Sequence, residues 1–382
     1  MTTETLVRGQ TRTITYGIIG CGMMGQEHLR NIALLDNAAV GAIFEPDALM
    51  RVRAAQFAPD ARFVDNLDAL LDIPEIDCLL IASPNFRHVE QLQAIARRRP
   101  LPVLVEKPLF TDPDHAAAVD AFAASYPAPV WVAMEYRYMP PVARLLEEAE
   151  AVTGGIKMLT IRENRFPFLD KVGSWNRFNR YTGGTFVEKC CHFFDLMRLA
   201  LKSDPVRVMA MGGQAANHLD ESYSGETPDI LDHGYVLVAF ENGAKAMLEL
   251  CMFAEGARYQ EEISALGPSG KIEALVPGPN RFWPPHLGAA PVPQVIYSPR
   301  NPKGPRIREI PVDPAILDAG DHNGSTFYQH LGFLELVRGQ RRAPDVSVLD
   351  GKWAVLMGIA AQRSMAERRV VEIGRASCRE RV

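Results

Sequence analysis

The sequence lacks long apolar runs, a strong charge of either sign and an apolar leader. No run approaches the roughly 20 apolar residues that a membrane-spanning helix needs, so we expect no membrane partner. The net charge of -5 over 382 residues gives no reason to expect nucleic acid as a partner. The first residues, MTTETLVRGQTRT, are polar, which predicts a cytoplasmic protein.

The cysteines lack any paired spacing. The chain has six, at Cys21, Cys78, Cys190, Cys191, Cys251 and Cys378. Without a Cys-x-x-Cys pair they are typical of buried thiols in a reducing compartment. Cys190, Cys191 and His192 are adjacent and suggest zinc. However, neighbouring residues on a helix point about 100° apart, and no second cysteine pair supplies the remaining ligands. We therefore expect no metal site.

The chain does have ample apolar material, with 47% hydrophobic and 23% charged residues, as in ordinary globular proteins. Its length exceeds one typical domain, so we expect two. Strand-like and helical patterns alternate over residues 1–134, and strand-like segments dominate residues 135–372. Residues 373–382, IGRASCRERV, are basic and non-periodic, and we expect them to be a non-native tail.

The strongest motif is a glycine-rich turn, Gly20-Cys21-Gly22-Met23-Met24-Gly25, between a predicted strand and a predicted helix. In such a turn Gly20 permits the tight bend, Gly22 lets backbone amides approach a pyrophosphate, and Gly25 lets the helix pack closely on the strand. The helix N-terminus then faces the negative charge. We expect these residues, with Met23 and Met24, to bind a dinucleotide; a purely structural turn is the alternative.

An acidic residue follows the next predicted strand, Ala38 to Phe44. Glu45 follows Gly25 at the spacing of about 20 residues at which a carboxylate accepts hydrogen bonds from the adenosine ribose. The same carboxylate would repel a 2′-phosphate, so it favours NAD over NADP as the cofactor. The alternative is a solvated acid at a strand end.

Two further apolar runs, at residues 76–82 and 103–105, end in polar residues. Their alternation with helices predicts an α/β class protein with an N-terminal doubly wound parallel sheet of the Rossmann type. Ligands bind at the carboxyl ends of such strands, so we expect further cofactor contacts at Ser83, Asn85, His88, Glu106 and Lys107. Beyond residue 135 the pattern predicts an α+β domain with a large open, mostly antiparallel sheet.

A predicted helix from Phe186 to Met197 follows Gly183-Gly184-Thr185 and carries titratable groups. Glu188 and His192 are four residues apart and share one helix face. Because buried ionisable groups cost free energy when unpaired, the presence of both on this helix requires an explanation. One is catalysis, with His192 as general base and Glu188 setting its orientation. The other is a core histidine bonded to a glutamate, and the spacing alone does not separate the two.

Lys107 lies at a predicted strand end, beside Pro108. A lysine there can donate a hydrogen bond to a substrate hydroxyl and stabilise negative charge that develops on its oxygen. A phosphate contact and a solvated surface lysine are the alternatives.

Together these residues resemble the Gfo/Idh/MocA oxidoreductases over nearly all of residues 13–372. The motifs that carry the resemblance are the glycine turn, Ser83-Pro84-Asn85 with His88, Glu106-Lys107-Pro108, residues 183–195, and Asp350-Gly351. The resemblance implies a nicotinamide-binding domain, an open-faced sheet domain, and catalysis at a sugar or polyol carbinol by Lys107 and His192. It also implies a homodimer or homotetramer formed through the sheet domain.

The chain departs from the family pattern at two positions near the predicted base. Glu188 stands where the family usually has aspartate; its longer arm still reaches His192 but shifts the base. Cys190, with Lys189 beside it, replaces the usual small residue. Both changes alter packing near the nicotinamide or the substrate.

Residues 162–180 mix basic and aromatic side chains. Aromatic rings stack on sugar faces and polar side chains bond hydroxyls, while arginines can hold a carboxylate or sulfonate. We therefore expect substrate contacts at Trp175, Asn176, Asn179 and Arg165. A solvated basic loop is the alternative.

The leading functional prediction is an NAD-dependent dehydrogenase of a sugar, sugar derivative or cyclitol. Hydride passes to the nicotinamide, His192 takes the hydroxyl proton and Lys107 stabilises the oxygen. One alternative is a glycoside hydrolase of the same fold, which oxidises transiently, eliminates, adds and re-reduces. A non-enzymatic NAD-binding regulator is the other, and the presence of both Lys107 and His192 argues against it.

Overall fold

The computed structural model describes residues 12–373, in which the first sheet has six parallel strands. Their order is β3-β2-β1-β4-β5-β6. The strands are β1 Ile14–Ile19, β2 Ala38–Phe44, β3 Arg62–Val64, β4 Cys78–Ile81, β5 Val103–Val105 and β6 Val130–Val132. The helices of this part are α1 Met23–Ile32, α2 Ala48–Phe57, α3 Leu67–Leu71, α4 His88–Arg98 and α5 Ala116–Ser125. Strands β4, β5 and β6 are buried along their whole length, as expected for parallel strands covered on both faces.

The second sheet has nine strands in the order β14-β13-β12-β11-β7-β10-β9-β8-β15. Its pairs are antiparallel, except for β7 with β10. The strands are β7 Met158–Asn164, β8 Pro205–Gly213, β9 His233–Phe240, β10 Lys245–Cys251, β11 Glu261–Gly267, β12 Gly270–Val276, β13 Gln294–Pro299, β14 Arg306–Glu309 and β15 Val371–Glu372. The predicted fold class is confirmed: a Rossmann-type α/β sheet is followed by a large, mostly antiparallel sheet.

Helices cover one face of the second sheet. The helices after β6 are α6 Pro140–Thr153, α7 Asn179–Thr182, α8 Thr185–Glu188, α9 Cys191–Leu201, α10 Pro314–Asp318, α11 Ser325–Val337 and α12 Val348–Glu367. Of these, α6 packs against β11, β12 and β13, and α12 packs against β8. Alternate residues of β8, β9 and β10 are buried against them. Helix α12 begins at a capping box in which Ser347 and Asp350 each bond the other's backbone amide.

The last two long helices both pack in the core of the first sheet, and α12 also packs in the core of the second. Phe333 of α11 and Val355 of α12 pack in the core of the first sheet, whereas Met357 of α12 packs in the core of the second. The core of the first sheet thus includes residues from the C-terminal part of the chain. The domain boundary between residues 134 and 135 therefore stays a prediction.

The predicted tail is partly wrong. Ile373 is buried in the second core, and its amide donates to the Val206 carbonyl oxygen, so it belongs to the fold. Residues 374–382, including Cys378, lie outside the described residues. Among the helices of residues 12–373, none combines the length and apolarity needed to cross a membrane.

Candidate active site

The glycine turn joins β1 to α1 and has the geometry that its sequence predicts. Gly20 has a φ of +88°, and a Cβ there would lie 2.7 Å from the Ser83 backbone. A Cβ on Gly25 would lie 2.5 Å from the Gly20 oxygen, so only glycine permits this approach of helix and strand. A Cβ on Gly22 would meet no protein atom within 4 Å. Gly22 instead faces open space at the N-terminus of α1.

Glu45 lies at the end of β2, against this turn. Its Oε2 accepts a hydrogen bond from the Cys21 amide at 2.5 Å, and its Oε1 accepts one from the Asp47 amide at 2.8 Å. Only 6% of the residue is exposed, so the interpretation as a solvated acid is wrong. Two backbone amides therefore hold the Glu45 carboxylate in place against the turn.

One cavity of about 650 Å³ connects the carboxyl ends of β1, β2, β4 and β5. Nine of the predicted cofactor residues line it: Gly20, Gly22, Met23, Met24, Glu45, Ser83, Asn85, Glu106 and Lys107. Its volume is typical of a site for a small organic ligand. The open space at Gly22 and the carboxylate at Glu45 fit a dinucleotide. Gly25 lies behind the turn, where it serves helix packing.

His88 is not among the lining residues, and its contact with a cofactor stays a prediction. Its Nδ1 lies 2.9 Å from the Pro108 carbonyl oxygen and its Nε2 lies 3.1 Å from the Ser83 carbonyl oxygen. Burial lowers the pKa of His88. The buried imidazole thus ties the loop after β4 to the loop after β5, and it acts on the cavity through these loops.

Glu106 and Lys107 are held by contacts that the sequence did not reveal. The Lys107 Nζ donates to the Glu188 carbonyl oxygen at 3.1 Å. Glu106 Oε1 lies 2.8 Å from His28 Nε2, and His28 Nδ1 lies 2.9 Å from His330 Nε2. Burial alone would raise the pKa of Glu106, but the His28 hydrogen bond and the charge of Lys107 lower it overall. Glu106 is therefore an ionised carboxylate in the lining of the cavity.

The predicted helix over residues 186–197 is interrupted. Helix α8 ends at Glu188 and α9 begins at Cys191. The amide of Cys190 donates to the oxygen of Thr185, five residues back instead of four. The regular spacing that would have placed Glu188 and His192 one turn apart on a continuous helix is therefore absent.

Glu188 contacts a lysine in place of the histidine. Its Oε1 accepts a hydrogen bond from Lys171 Nζ at 3.2 Å. Within residues 12–373, Glu188 Oε2 and His192 Nδ1 have no hydrogen-bond partner, so the expected bond between them is not formed. Lys171 also lies 4.4 Å from the centre of the Trp175 ring, and both side chains line the cavity. Sequence reasoning missed Lys171, whose only signal was its place in the basic segment.

His192 is a buried, neutral imidazole. Its ring stacks on that of Tyr136, with centroids 4.1 Å apart and planes at 8°. Only 2% of the residue is exposed. Burial, followed by the charges of Lys107 and Lys189, lowers the pKa of His192 well below its usual value. A neutral imidazole has a free lone pair, so it can accept a proton.

The structure separates the four predicted substrate contacts. Trp175 lines the cavity. Asn176 is buried and donates to the Leu169 oxygen, Asn179 donates to the Asp229 oxygen, and Arg165 lies 3.8 Å from Glu163. Those three do not line the cavity. Their polar groups stabilise the folded segment itself, a use of side chains that composition cannot distinguish from ligand binding.

Two models of one protein family match this chain. The model of the Gfo/Idh/MocA "oxidoreductase family, NAD-binding Rossmann fold" matches residues 14–134. The model of the same family's "C-terminal alpha/beta domain" matches residues 149–373. Together they span both sheets.

Individual relatives agree with these matches. Myo-inositol 2-dehydrogenase of Thermotoga maritima is 24% identical over 361 residues, which are 94% of this chain and 98% of that protein. The 2,7-anhydro-N-acetylneuraminate hydratase of Escherichia coli is 26% identical over 242 residues, 62% of this chain and 61% of that one.

A solved levoglucosan dehydrogenase with NADH and levoglucosan superposes with a TM-score of 0.77 at 19% identity, covering 95% of this chain and 100% of that one. At such identity the superposition supports the fold. The two matched models and the cavity at the glycine turn lead to one conclusion: this chain belongs to the Gfo/Idh/MocA family of NAD-binding oxidoreductases.

Proposed function

We propose that this oxidoreductase uses NAD to oxidise a hydroxyl of a sugar, sugar derivative or cyclitol. The observation that carries the proposal is the single cavity that joins the glycine turn and Glu45 to Lys107. Relatives named for inositol and levoglucosan dehydrogenation support a polyol or carbohydrate as the substrate class.

In the proposed reaction NAD supplies the hydride acceptor. The Lys107 ammonium donates a hydrogen bond to the substrate oxygen and stabilises the negative charge that develops there. The neutral imidazole of His192 accepts the hydroxyl proton. The carbinol C–H hydrogen leaves with its electron pair, the O–H proton goes to His192, and a carbonyl remains.

Glu188 has a different proposed role from the one that its spacing predicted. Its carbonyl oxygen accepts from Lys107 and its carboxylate accepts from Lys171. We infer that Glu188 places two ammonium groups at the cavity. Lys171, which lies beside Trp175, is therefore a further proposed substrate contact.

The test is a screen of the purified protein with NAD against cyclitols, aldoses, uronates and glycosides. NADH formation is measured, and aglycone release from the glycosides is measured in parallel. Net NADH with a free polyol or sugar supports the dehydrogenase. A preparation of the Lys107→Ala variant controls for contaminating dehydrogenases.

The relative named as a hydratase favours one redox-neutral alternative as a second candidate. Aglycone release without net NADH would support the glycoside hydrolase and contradict the dehydrogenase. NAD binding with neither product would favour the regulator.

A further inference from the structure

The predicted base lacks the acidic partner that its sequence spacing suggested. Within the described residues, His192 Nδ1 has no hydrogen-bond partner, and the Glu188 carboxylate contacts Lys171. An imidazole that accepts a proton must keep its ring orientation closely, because a displacement of about 1 Å can cost 10²-fold in rate. Another contact must therefore fix the ring.

Tyr136 supplies that contact. Its ring lies parallel to the His192 ring at 4.1 Å. The tyrosine is itself buried, and its ring meets the edge of Phe193 at 5.7 Å and 71°. Tyr136 belongs to the short turn after β6, Glu135–Tyr138, so the stack joins the first sheet's edge to α9.

Lys189 fixes Tyr136 in turn. Its Nζ donates to the Tyr136 hydroxyl at 2.5 Å and lies 2.7 Å from Glu163 Oε1 on β7. It also lies 4.7 Å from the centre of the Tyr136 ring. A buried ammonium is tolerated where it is paired and hydrogen-bonded. The Glu163 carboxylate and the tyrosine hydroxyl meet that condition here.

We propose that Tyr136 and Lys189 are positioning residues for the proton-accepting imidazole: Tyr136 sets the plane of the His192 ring, and Lys189 holds Tyr136 in place. The proposal rests on the proposed function in one respect, the role of His192 as proton acceptor. It explains why the turn between α8 and α9 carries a lysine at a buried position.

Lys189 also acts on His192 through its charge. The cations that face His192 are Lys107 after β5, Lys189 between α8 and α9, Arg165 after β7 and His322 before α11. Together with burial they disfavour the charged imidazole. Removing the Lys189 charge removes one of these repulsions, so the pKa of His192 must rise.

The first test is a spectroscopic one on the NAD-loaded full chain with ¹³C-labelled histidine. A His192→Gln variant assigns the His192 resonance. We expect the ring current of Tyr136 to displace that resonance, Tyr136→Phe to keep the displacement, and Tyr136→Leu to abolish it. An unchanged resonance in Tyr136→Leu would overturn the inference, whatever the substrate is.

The second test is the pH titration of the same resonance. Lys189→Gln should move the His192 midpoint to higher pH, and so should the charge-balanced Lys189→Gln, Glu163→Gln pair. Lys157→Gln, at an exposed lysine, is the matched control and should leave the midpoint in place. A midpoint that stays, or moves to lower pH, contradicts the effect of the Lys189 charge on His192.

The third test uses the substrate found in the screen. Tyr136→Leu should lower kcat by about 10²-fold through misplacement of the base, with the affinity for NAD unchanged, and Tyr136→Phe should retain most activity. An equal kcat in all three proteins would count against the proposal. A failed screen would refute the proposed function alone, because the spectroscopic tests need no substrate.

Discussion

Lys107 is the residue on which the proposed reaction depends most. Its ammonium lies at the cavity and is held by the Glu188 carbonyl. Lys107→Ala should lower kcat by about 10² to 10³-fold, the usual cost of losing a donor to a developing oxyanion. NAD should still bind, because the glycine turn and Glu45 are untouched.

Steady-state NADH formation and calorimetric NAD titration measure the two effects. Lys157→Ala, at an exposed site, is the control and should match the unaltered protein. A near-normal kcat in Lys107→Ala would remove this lysine from the mechanism.

Glu45 sets the expected choice between NAD and NADP. Replacing it by serine removes the carboxylate that would bond the ribose hydroxyls and repel a 2′-phosphate. A hydrogen bond to a charged group contributes about 1.5 to 3 kcal/mol, so the ratio of the two dissociation constants should move toward NADP by about 10 to 100-fold.

Binding titrations with both cofactors measure the ratio. Glu75→Ser, at an exposed acid, controls for a general change of charge. If Glu45→Ser leaves the ratio where it was, the ribose does not lie against this carboxylate.

Among the secondary-structure elements, α8 and α9 show how packing overrides periodicity. The pattern of apolar residues correctly predicts helix on both sides of Lys189 and Cys190. However, α8 packs closely against α12, where a Cβ on Gly358 would lie 2.6 Å from the Phe186 oxygen. The interruption arises in a part of the chain that is tightly packed against another helix, and no local pattern encodes that.

A second set of elements is joined by buried charges. Glu27 on α1, Glu135 after β6 and His322 before α11 hold ligand-type atoms within 4.8 Å of one another. His322 Nδ1 lies 2.8 Å from Glu27 Oε1, and the Thr326 hydroxyl oxygen lies 2.9 Å from Glu27 Oε1 and 2.6 Å from Glu135 Oε2. These contacts satisfy the groups without a metal, and the expectation of no metal site stays a prediction.

This cluster predicts a pH-dependent stability. Burial opposes the charge of His322, but Glu135 and Glu27 raise its pKa from 6.5 to about 9. A raised pKa contributes stability that is complete below about pH 6.5 and is lost as the pH rises through about 9. The shift in the pKa of His322 corresponds to about 3 kcal/mol in the free energy of unfolding.

The melting temperatures of the unaltered protein and of His322→Gln should therefore differ at pH 6 and converge as the pH rises through about 9. His286→Gln, at an exposed histidine, should show no such convergence. A difference that is constant with pH would show that the His322 charge does not stabilise the fold.

Glu27 sets the low-pH end of the range in which this cluster stabilises the fold. Burial opposes its charge, but His322 and the hydrogen bonds of Thr326 and Asp321 lower its pKa from 4.5 to about 2. Its contribution is present above about pH 4.5 and is lost as the pH falls through about 2. The link between α1 and α11 is thus strongest in mildly acidic to neutral solution.

For the molecule as a whole, the outer face of the second sheet exposes an apolar patch. Met209 and Met211 on β8 pair with Leu237 and Tyr235 on β9. These four side chains are 40%, 64%, 51% and 53% exposed. Contiguous exposed apolar patches mark interaction surfaces, which agrees with the homodimer or homotetramer implied by the family resemblance.

We expect the protein to be a homo-oligomer through this patch. Met209→Lys with Leu237→Lys should place two charges in it and reduce the mass measured by light scattering toward that of one chain. Val52→Lys, at an exposed residue of α2, should leave the assembly unchanged. An unaltered mass in the double variant would exclude this face as the interface.

The class of fold, the glycine turn, Glu45 and the position of Lys107 at a strand end can be predicted from the amino-acid order alone. These depend on local order: a strand, a turn and a helix in succession set where each strand ends, and parallel strands bring those ends to one edge. Residues that act through backbone geometry or through their place at a strand end are therefore readable from the chain.

Which side chains meet is visible only in the folded chain. Glu188 contacts Lys171 and not His192, Tyr136 stacks on His192, and His28 contacts His330 at a separation of 302 positions. The sequence predicts His88, Asn176 and Asn179 as site residues, but their side chains lie within hydrogen-bond distance of backbone carbonyl oxygens instead. Side-chain direction depends on the close packing of distant elements, and that packing exists only once the chain is folded.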